Sequence, residues 1–293
     1  MTDALDLAAT LDGGQRSAEV PVSEYAIRTW CAALDETNPL YLDEAAARRA
    51  GYPTVLAPPA MLQTWTMPVT DRAAHPTLHA RVRGLAREAG LTAVVATDYE
   101  QEYLRPIHPG VLLTERSRVE AVSALKDTAL GRGRFVTIGF TIADDEGPVG
   151  RLRARTFYFD PAPGERGRRP ASVNEGPQNL EPLAVPLSRT LIVTASLASN
   201  DHEAVHHDHQ VATAQGLPDI IASIVTTAGL VLRFTGATSG RAWCRSLQLR
   251  LARPAVPGDV LTLRGHTDGR TYSVCGDHAR GGHVYAEVGY AAA

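Results

Sequence analysis

The twelve residues "SNDHEAVHHDHQ", positions 199–210, place His202, His206, His207 and His209 within eight positions, with Asp201, Glu203 and Asp208 among them. Imidazoles next to carboxylates can bind a metal, exchange protons near neutral pH, or simply solvate a loop. No second His or Cys group stands at ligand spacing elsewhere, so no metal is expected. Asp201 and His206 stand five positions apart, with a further Asp two positions beyond. Asp208 precedes "HQVATAQ" and reads as a helix cap. His202, His207 and His209 are expected to be solvated or locally hydrogen-bonded.

The same spacing occurs earlier. "LDETNPLYLDEAAARRAGYPTVLAPPAM" has Glu36, then Tyr41 five positions on, then Asp43. Both stretches continue through an Ala-rich segment, a Gly, a Pro and an apolar run. Further along, "LRPIHPG" and "ARPAVPG" repeat an Arg-Pro-x-x-Pro-Gly turn between strand-like runs. The apolar runs are expected to be helices, over about 59–69 and 219–234. Period-2 runs follow each: 92–104, 111–125, 134–145 and 149–160 in the first half, then 242–252, 259–268, 271–279 and 283–292 in the second. A helix followed by an antiparallel sheet, twice, is an α+β pattern. The Pro-, Gly- and charge-rich stretch 161–186 reads as a linker between domains 1–160 and 187–293.

The bulk numbers narrow the function classes. Hydrophobic residues make up 44 % of the chain, charged residues 21 %, and the net charge is −3, which fits a globular protein and leaves no basic excess for nucleic acid. The three cysteines lack a CxxC spacing, and the acidic N-terminus lacks the basic and apolar regions of a signal peptide. No apolar run reaches membrane-span length. The expectation is a cytoplasmic protein without membrane or nucleic-acid partners.

The repeated pattern resembles the MaoC-like, R-specific enoyl-CoA hydratase family, whose hallmark reads Asp-x-Asn-Pro-Leu-His-x-Asp before a central helix. "DHEAVHHD" keeps the ends, with Glu203-Ala204-Val205 in the middle. "NPLYLD" keeps the middle, but Glu36 and Tyr41 replace the Asp and His. "AGYPTVLAPPAM" resembles the N-terminal hotdog of FAS1-like double-hotdog dehydratases. The resemblance implies a double hotdog, each half an antiparallel sheet wrapped around a central apolar helix. It implies a carbon–oxygen lyase that interconverts a 2-enoyl and a 3-hydroxyacyl thioester, with acyl-CoA as substrate and no cofactor. Asp201 and His206 would be the acid/base pair around one water. A backbone N–H at the helix start, from Ile221, Ala222 or Ser223, would form the oxyanion hole. The usual His-Gly pair is replaced here by Ala222-Ser223.

Glu36 and Tyr41 would mark a degenerate counterpart site. Tyr is a poor proton shuttle, and Pro58 and Pro59 have no N–H to offer. The first half would then accommodate the acyl group. Rival readings are a hotdog thioesterase, a non-catalytic subunit working with a partner chain, and a biosynthetic tailoring dehydratase acting on a carrier-protein thioester. Homodimerisation and a hotdog partner subunit both stay open.

Overall fold

Buried residues alternate with exposed or half-buried ones along part of several strands of this computed structural model, which describes residues 4–69, 76–128, 130–161, 178–239 and 243–291. In chain order the strands are β1 (Asp12–Ser17), β2 (Ala93–Tyr103), β3 (Thr114–Val122), β4 (Lys126–Asp127), β5 (Gly131–Asp144), β6 (Gly147–Pro161), β7 (Leu183–Pro186), β8 (Cys244–Leu251), β9 (Val260–Thr267), β10 (Thr271–His278) and β11 (Gly281–Tyr290). The helices are α1 (Glu24–Ala33), α2 (Pro39–Leu42), α3 (Glu44–Arg49), α4 (Leu78–Glu88), α5 (Arg189–Ala198), α6 (His209–Ala214) and α7 (Ile224–Gly236). No helix among the described residues is long and apolar enough to cross a membrane.

All strands join one antiparallel sheet, ordered β1-β3-β5-β6-β2-β8-β11-β10-β9-β7, with β4 beside the start of β5. The order is the same read outward from the middle, so β2 answers to β8 and β1 to β7. The halves join where Asp98–Glu102 of β2 pairs with Ser246–Arg250 of β8. Every strand-like run expected from the sequence forms a strand. β7 was not expected. It lies inside the stretch read as linker, and its Leu183–Pro186 pairs with Val260–Leu263. Asn179 and Leu180 already bond to Gly265 O, so the second half starts earlier than residue 187. Positions 162–177 of that stretch lie outside the described residues.

The helices differ from expectation in one respect that matters. The second-half helix forms, but it starts at Ile224 rather than near 219, because Ser223 caps it by accepting from Thr226 N at 3.0 Å. α7 is apolar nearly all round and sits in the core. It packs tightly against α1 of the other half: a Cβ on Gly229 would lie 2.5 Å from atoms of both Trp30 and Leu34.

The matching first-half helix does not form. Residues 59–69 instead make two 3₁₀ turns, Pro59–Met61 and Thr64–Thr66, separated by Leu62 and Gln63. Tertiary bonds pin the segment. Thr66 Oγ1 donates to the buried Glu115 at 2.6 Å, and Arg16 donates to Thr66 O at 2.6 Å. The first half's helix of comparable length is α4, further along the chain.

Candidate active site

The loop that carries Asp201 begins with a left-handed residue. Asn200 has φ 56°, and its counterpart Asp35 has φ 49°. In each half this turns the chain out of a helix, α5 or α1, and delivers the following acid, Asp201 or Glu36. Asn and Asp tolerate this conformation better than most residues. Asp201 is then fixed by its own backbone: its N–H donates to Ser196 O at 3.0 Å, and Ser196 Oγ donates to its carbonyl.

A single 3₁₀ turn, Ala204–His206, brings the imidazole back over the carboxylate. His206 Nε2 lies 3.6 Å from Asp201 Oδ2, and both residues are 8 % exposed. That is too long for a direct hydrogen bond. It suits two groups that share one small polar molecule. The other ring nitrogen, Nδ1, lies 2.8 Å from Ile221 O. A carbonyl only accepts, so Nδ1 carries the hydrogen, and in the neutral ring the Nε2 lone pair faces Asp201.

This contact corrects one expectation: Ile221 serves the site through its carbonyl rather than its N–H. The Ile221 N–H donates to Val205 O at 3.0 Å, and the Ala222 N–H donates to Ala255 O at 2.9 Å. Neither is available as an oxyanion donor. Ser223 N–H meets no acceptor among the described residues and sits at the positive end of α7. Behind it, Thr227 Oγ1 lies 3.0 Å from both Ser223 O and His283 Nε2, and His283 Nδ1 lies 2.7 Å from Arg253 O.

Burial holds the His283 pKa down at about 4, against an ordinary 6.5. The folded value lies below the unfolded one, so acid protonates the unfolded chain first. The stability this ring contributes is whole above about pH 6.5 and is lost as pH falls towards 4. The expected loss is on the order of 3 kcal/mol. Melting temperature measured across pH 4–7 should fall less steeply in His283→Asn than in the wild type; parallel curves would refute this.

The other histidines of the cluster are spoken for. His202 Nε2 lies 2.9 Å from Asn200 Oδ1, His207 Nε2 lies 3.3 Å from His202 O, and His209 Nδ1 lies 3.0 Å from Asp219 Oδ1. Asp208 caps α6, accepting from Gln210 N and Val211 N. Among the described residues no three His, Cys, Asp or Glu side chains converge as metal ligands. Arg105 pairs with Asp144 and Glu146.

Several neighbours of the site come from the first half and were not foreseen. Asn200 Nδ2 donates to Met67 O at 2.9 Å, and Arg83 on α4 pairs with Glu203 at 2.8 Å. Tyr99 Oη donates to Gln63 Oε1 at 3.2 Å. Burial raises the Tyr99 pKa, and the nearby Asp201 carboxylate adds to the rise.

The counterpart site is organised differently. Burial raises the Glu36 pKa, although the backbone N–H groups of Asn38 and Thr37 oppose the shift. Burial, then Glu36, pushes Tyr41 well above the ordinary phenol range. The hollow beside Tyr41, lined also by Trp243, Cys244 and Tyr290, has a volume of about 20 Å³. That is room for roughly one water.

Two hotdog-like halves joined in one sheet, each with its acid-bearing loop after a helix, define a double hotdog. The family described as "FAS1-like, dehydratase domain region" matches residues 13–149. The chain is 41 % identical over 159 residues to the probable enoyl-CoA hydratase alpha subunit of Thermomonospora curvata, covering 53 % of this chain and 50 % of that protein. It is 40 % identical over 105 residues to the 3-oxo-4,17-pregnadiene-20-carboxyl-CoA hydratase beta subunit of Mycobacterium tuberculosis, covering 34 % of this chain and 81 % of that protein. A solved MaoC-like dehydratase superposes with TM-score 0.74 at 20 % identity, covering 99 % of this chain and 100 % of the other. The chain belongs to the FAS1-like, MaoC-like hotdog dehydratase family. It spans about half the length of the alpha-subunit relative.

Proposed function

We propose that this chain hydrates a 2-enoyl thioester to the 3-hydroxyacyl thioester and catalyses the reverse dehydration, with acyl-CoA as substrate. The observation that carries the reading is the Asp201–His206 pair, 3.6 Å apart, with the imidazole tautomer held by Ile221 O. One water donating to Asp201 Oδ2 and His206 Nε2 would be placed for attack on Cβ. As its oxygen bonds to Cβ, the pair takes its proton, and a proton passes to Cα. The π electrons move towards the thioester carbonyl, where Ser223 N–H and the positive end of α7 meet the developing charge. The net change is addition of water, with no electrons transferred, so the reaction calls for no redox cofactor.

The first half would hold the acyl group. Its missing central helix and the residues it sends to the Asp201 loop support this role. The beta-subunit relative is named for a pregnadiene-carboxyl-CoA, which supports a bulky acyl group here too. Likeness to an alpha and to a beta subunit supports the view that one polypeptide supplies what those relatives divide between two, with a further hotdog subunit as a partner to test. Three buried free cysteines favour the cytoplasm.

The deciding experiment follows loss of enoyl-thioester absorbance over a panel of 2-enoyl-CoAs, from crotonyl to polycyclic. Loss of the band without free thiol is the expected result. Loss of the band with an equal amount of free thiol would make the protein a thioesterase. Inactivity on every substrate would overturn the reading and direct attention to a partner chain.

A further inference from the structure

Thr227 and His283 form a polar pair inside the core, 0 % and 1 % exposed. The equivalent positions of the first half are apolar. Val149 O accepts from Leu104 N where His283 O accepts from Ala252 N, so Val149 stands for His283. Leu56 N and Ala57 N donate to Leu40 O and Ile107 O, as Ile221 N and Ala222 N donate to Val205 O and Ala255 O. Pro58 therefore stands for Ser223, and Leu62, four residues on, for Thr227. The half with Glu36 and Tyr41 fills these places with Pro, Leu and Val, whereas the half with Asp201 and His206 has Ser, Thr and His. An apolar pair of the right shape can hold a core as well as a hydrogen-bonded pair does, so packing does not account for the difference.

The pair closes a ring of bonds around Ser223. Ser223 caps α7 in extended backbone, φ −71° and ψ 162°, so helical bonding does not aim its N–H. The residues on either side must do so. On one side, Ala222 N–H is tied to Ala255 O at 2.9 Å. On the other, Ser223 O accepts from Thr227 N at 3.0 Å and lies 3.0 Å from Thr227 Oγ1. The same hydroxyl lies 3.0 Å from His283 Nε2, and the ring's Nδ1–H donates to Arg253 O at 2.7 Å. Arg253 and Ala255 belong to one Arg-Pro-x-x-Pro-Gly turn. Both ends of the chain of bonds return to that turn, with Ser223 between them. The first half cannot form the ring: Leu62 and Val149 have no polar side-chain atom, and Pro58 has no N–H to aim.

Resting on the hydratase reading, we infer that Thr227 and His283 are positioning residues, which hold the Ser223 N–H on the thioester oxygen as charge develops there. Neither touches the reacting atoms. A donor of this kind is effective only if it already points at the place the oxyanion will occupy. Its bond strengthens as charge builds, so loosening it costs the transition state more than the bound substrate. A small misplacement is enough for a large loss of rate.

The test uses the enoyl-CoA that the wild type turns over best. Thr227→Val keeps the volume and removes the hydroxyl. Val is chosen over the Leu of the first half because Val284 occupies the room that Gly150 leaves for Leu62. Thr227→Val and His283→Leu should each lower kcat about 10- to 100-fold, with KM within about twofold of wild type. The double variant should fall little further, because the two groups act through one carbonyl. Thr227→Ser, which keeps the hydroxyl, should recover most of the rate lost in Thr227→Val. A second readout is the NMR shift of an isotope-labelled thioester carbonyl in a saturated acyl-CoA, which binds without reacting. Its downfield displacement on binding should shrink in Thr227→Val and His283→Leu. A pair that only packs the core would lower the melting temperature and leave kcat and the carbonyl shift at wild-type values per folded protein. That result overturns the inference and leaves the hydratase reading standing. No turnover of any enoyl-CoA by the wild type removes both. If His283→Leu does not fold, Thr227→Val decides.

Discussion

Asp201→Asn is expected to lower kcat/KM for the best enoyl-CoA by about 10²- to 10⁴-fold while the protein stays folded. The substitution preserves volume, and the Asn oxygen can still accept from Glu203 N, as Asp201 Oδ1 does at 3.3 Å. With the oxygen held there, the new NH₂ group points at His206 Nε2, 3.6 Å from the original Oδ2. It then removes a base and also offers a donor to the lone pair of the second base. His206→Gln should fall by a similar factor, because it loses the ring that Ile221 O orients. The double variant should be little worse than either single, since the two groups act on one water. Tyr41→Phe is the contrasting case and should stay near wild type. The assay is enoyl-band loss at saturating and limiting substrate, with circular dichroism alongside. Asp201→Asn that retains wild-type turnover would place the chemistry elsewhere.

Trp30→Ala is expected to cost about 3–5 kcal/mol of stability. Trp30 is 1 % exposed on α1 of the first half, and its ring lies against Gly229 on α7 of the second. Truncation opens a void where the two halves pack, and neither helix can close it: α7 is held by its Ser223 cap, and Arg233 on α7 donates to Leu34 O at 2.8 Å. Because β2 and β8 also pair across the same boundary, both halves should melt in one transition. Urea unfolding followed by fluorescence and circular dichroism tests both points. The midpoint should drop with the slope unchanged. Two separated transitions would show that the halves are energetically independent.

Local features made much of this architecture legible. Period-2 runs mark strands such as β3 and β9, whose buried residues alternate with exposed or half-buried ones. Asp208 reads as a cap because its side chain bonds the next turn. Asp201 and His206 stand out because a single 3₁₀ turn between them is a short-range matter. The failures are non-local. The apolar run at 59–69 looks helical, yet Glu115, Arg16 and Asn200, all distant in sequence, fix it in broken turns. Ile221 and Ala222 look free at a helix start, yet Val205 and Ala255 carbonyls take their N–H groups. Tyr99 and Gln63 join the site only through the junction of the two halves, which no spacing within either half can reveal.

The two outermost strands have a consequence for how this protein behaves when crowded. A sheet of this length would ordinarily expose unpaired backbone along both rims, and such rims recruit other chains and grow into aggregates. Both rims here are blunted. β7 is four residues long, flanked by Pro182 and ending in Pro186, neither of which has an N–H to offer. β1 is short and mostly exposed, and its pairing is broken by an irregularity between Asp12 and Gly14, where Gly14 adopts φ 67°. Such a kink twists the rim away from a flat template. Joining the halves through β2 and β8 removes the two rims that separate halves would have exposed there. The chain is thereby guarded against strand-by-strand polymerisation, and any association with another copy or subunit is directed to its other surfaces.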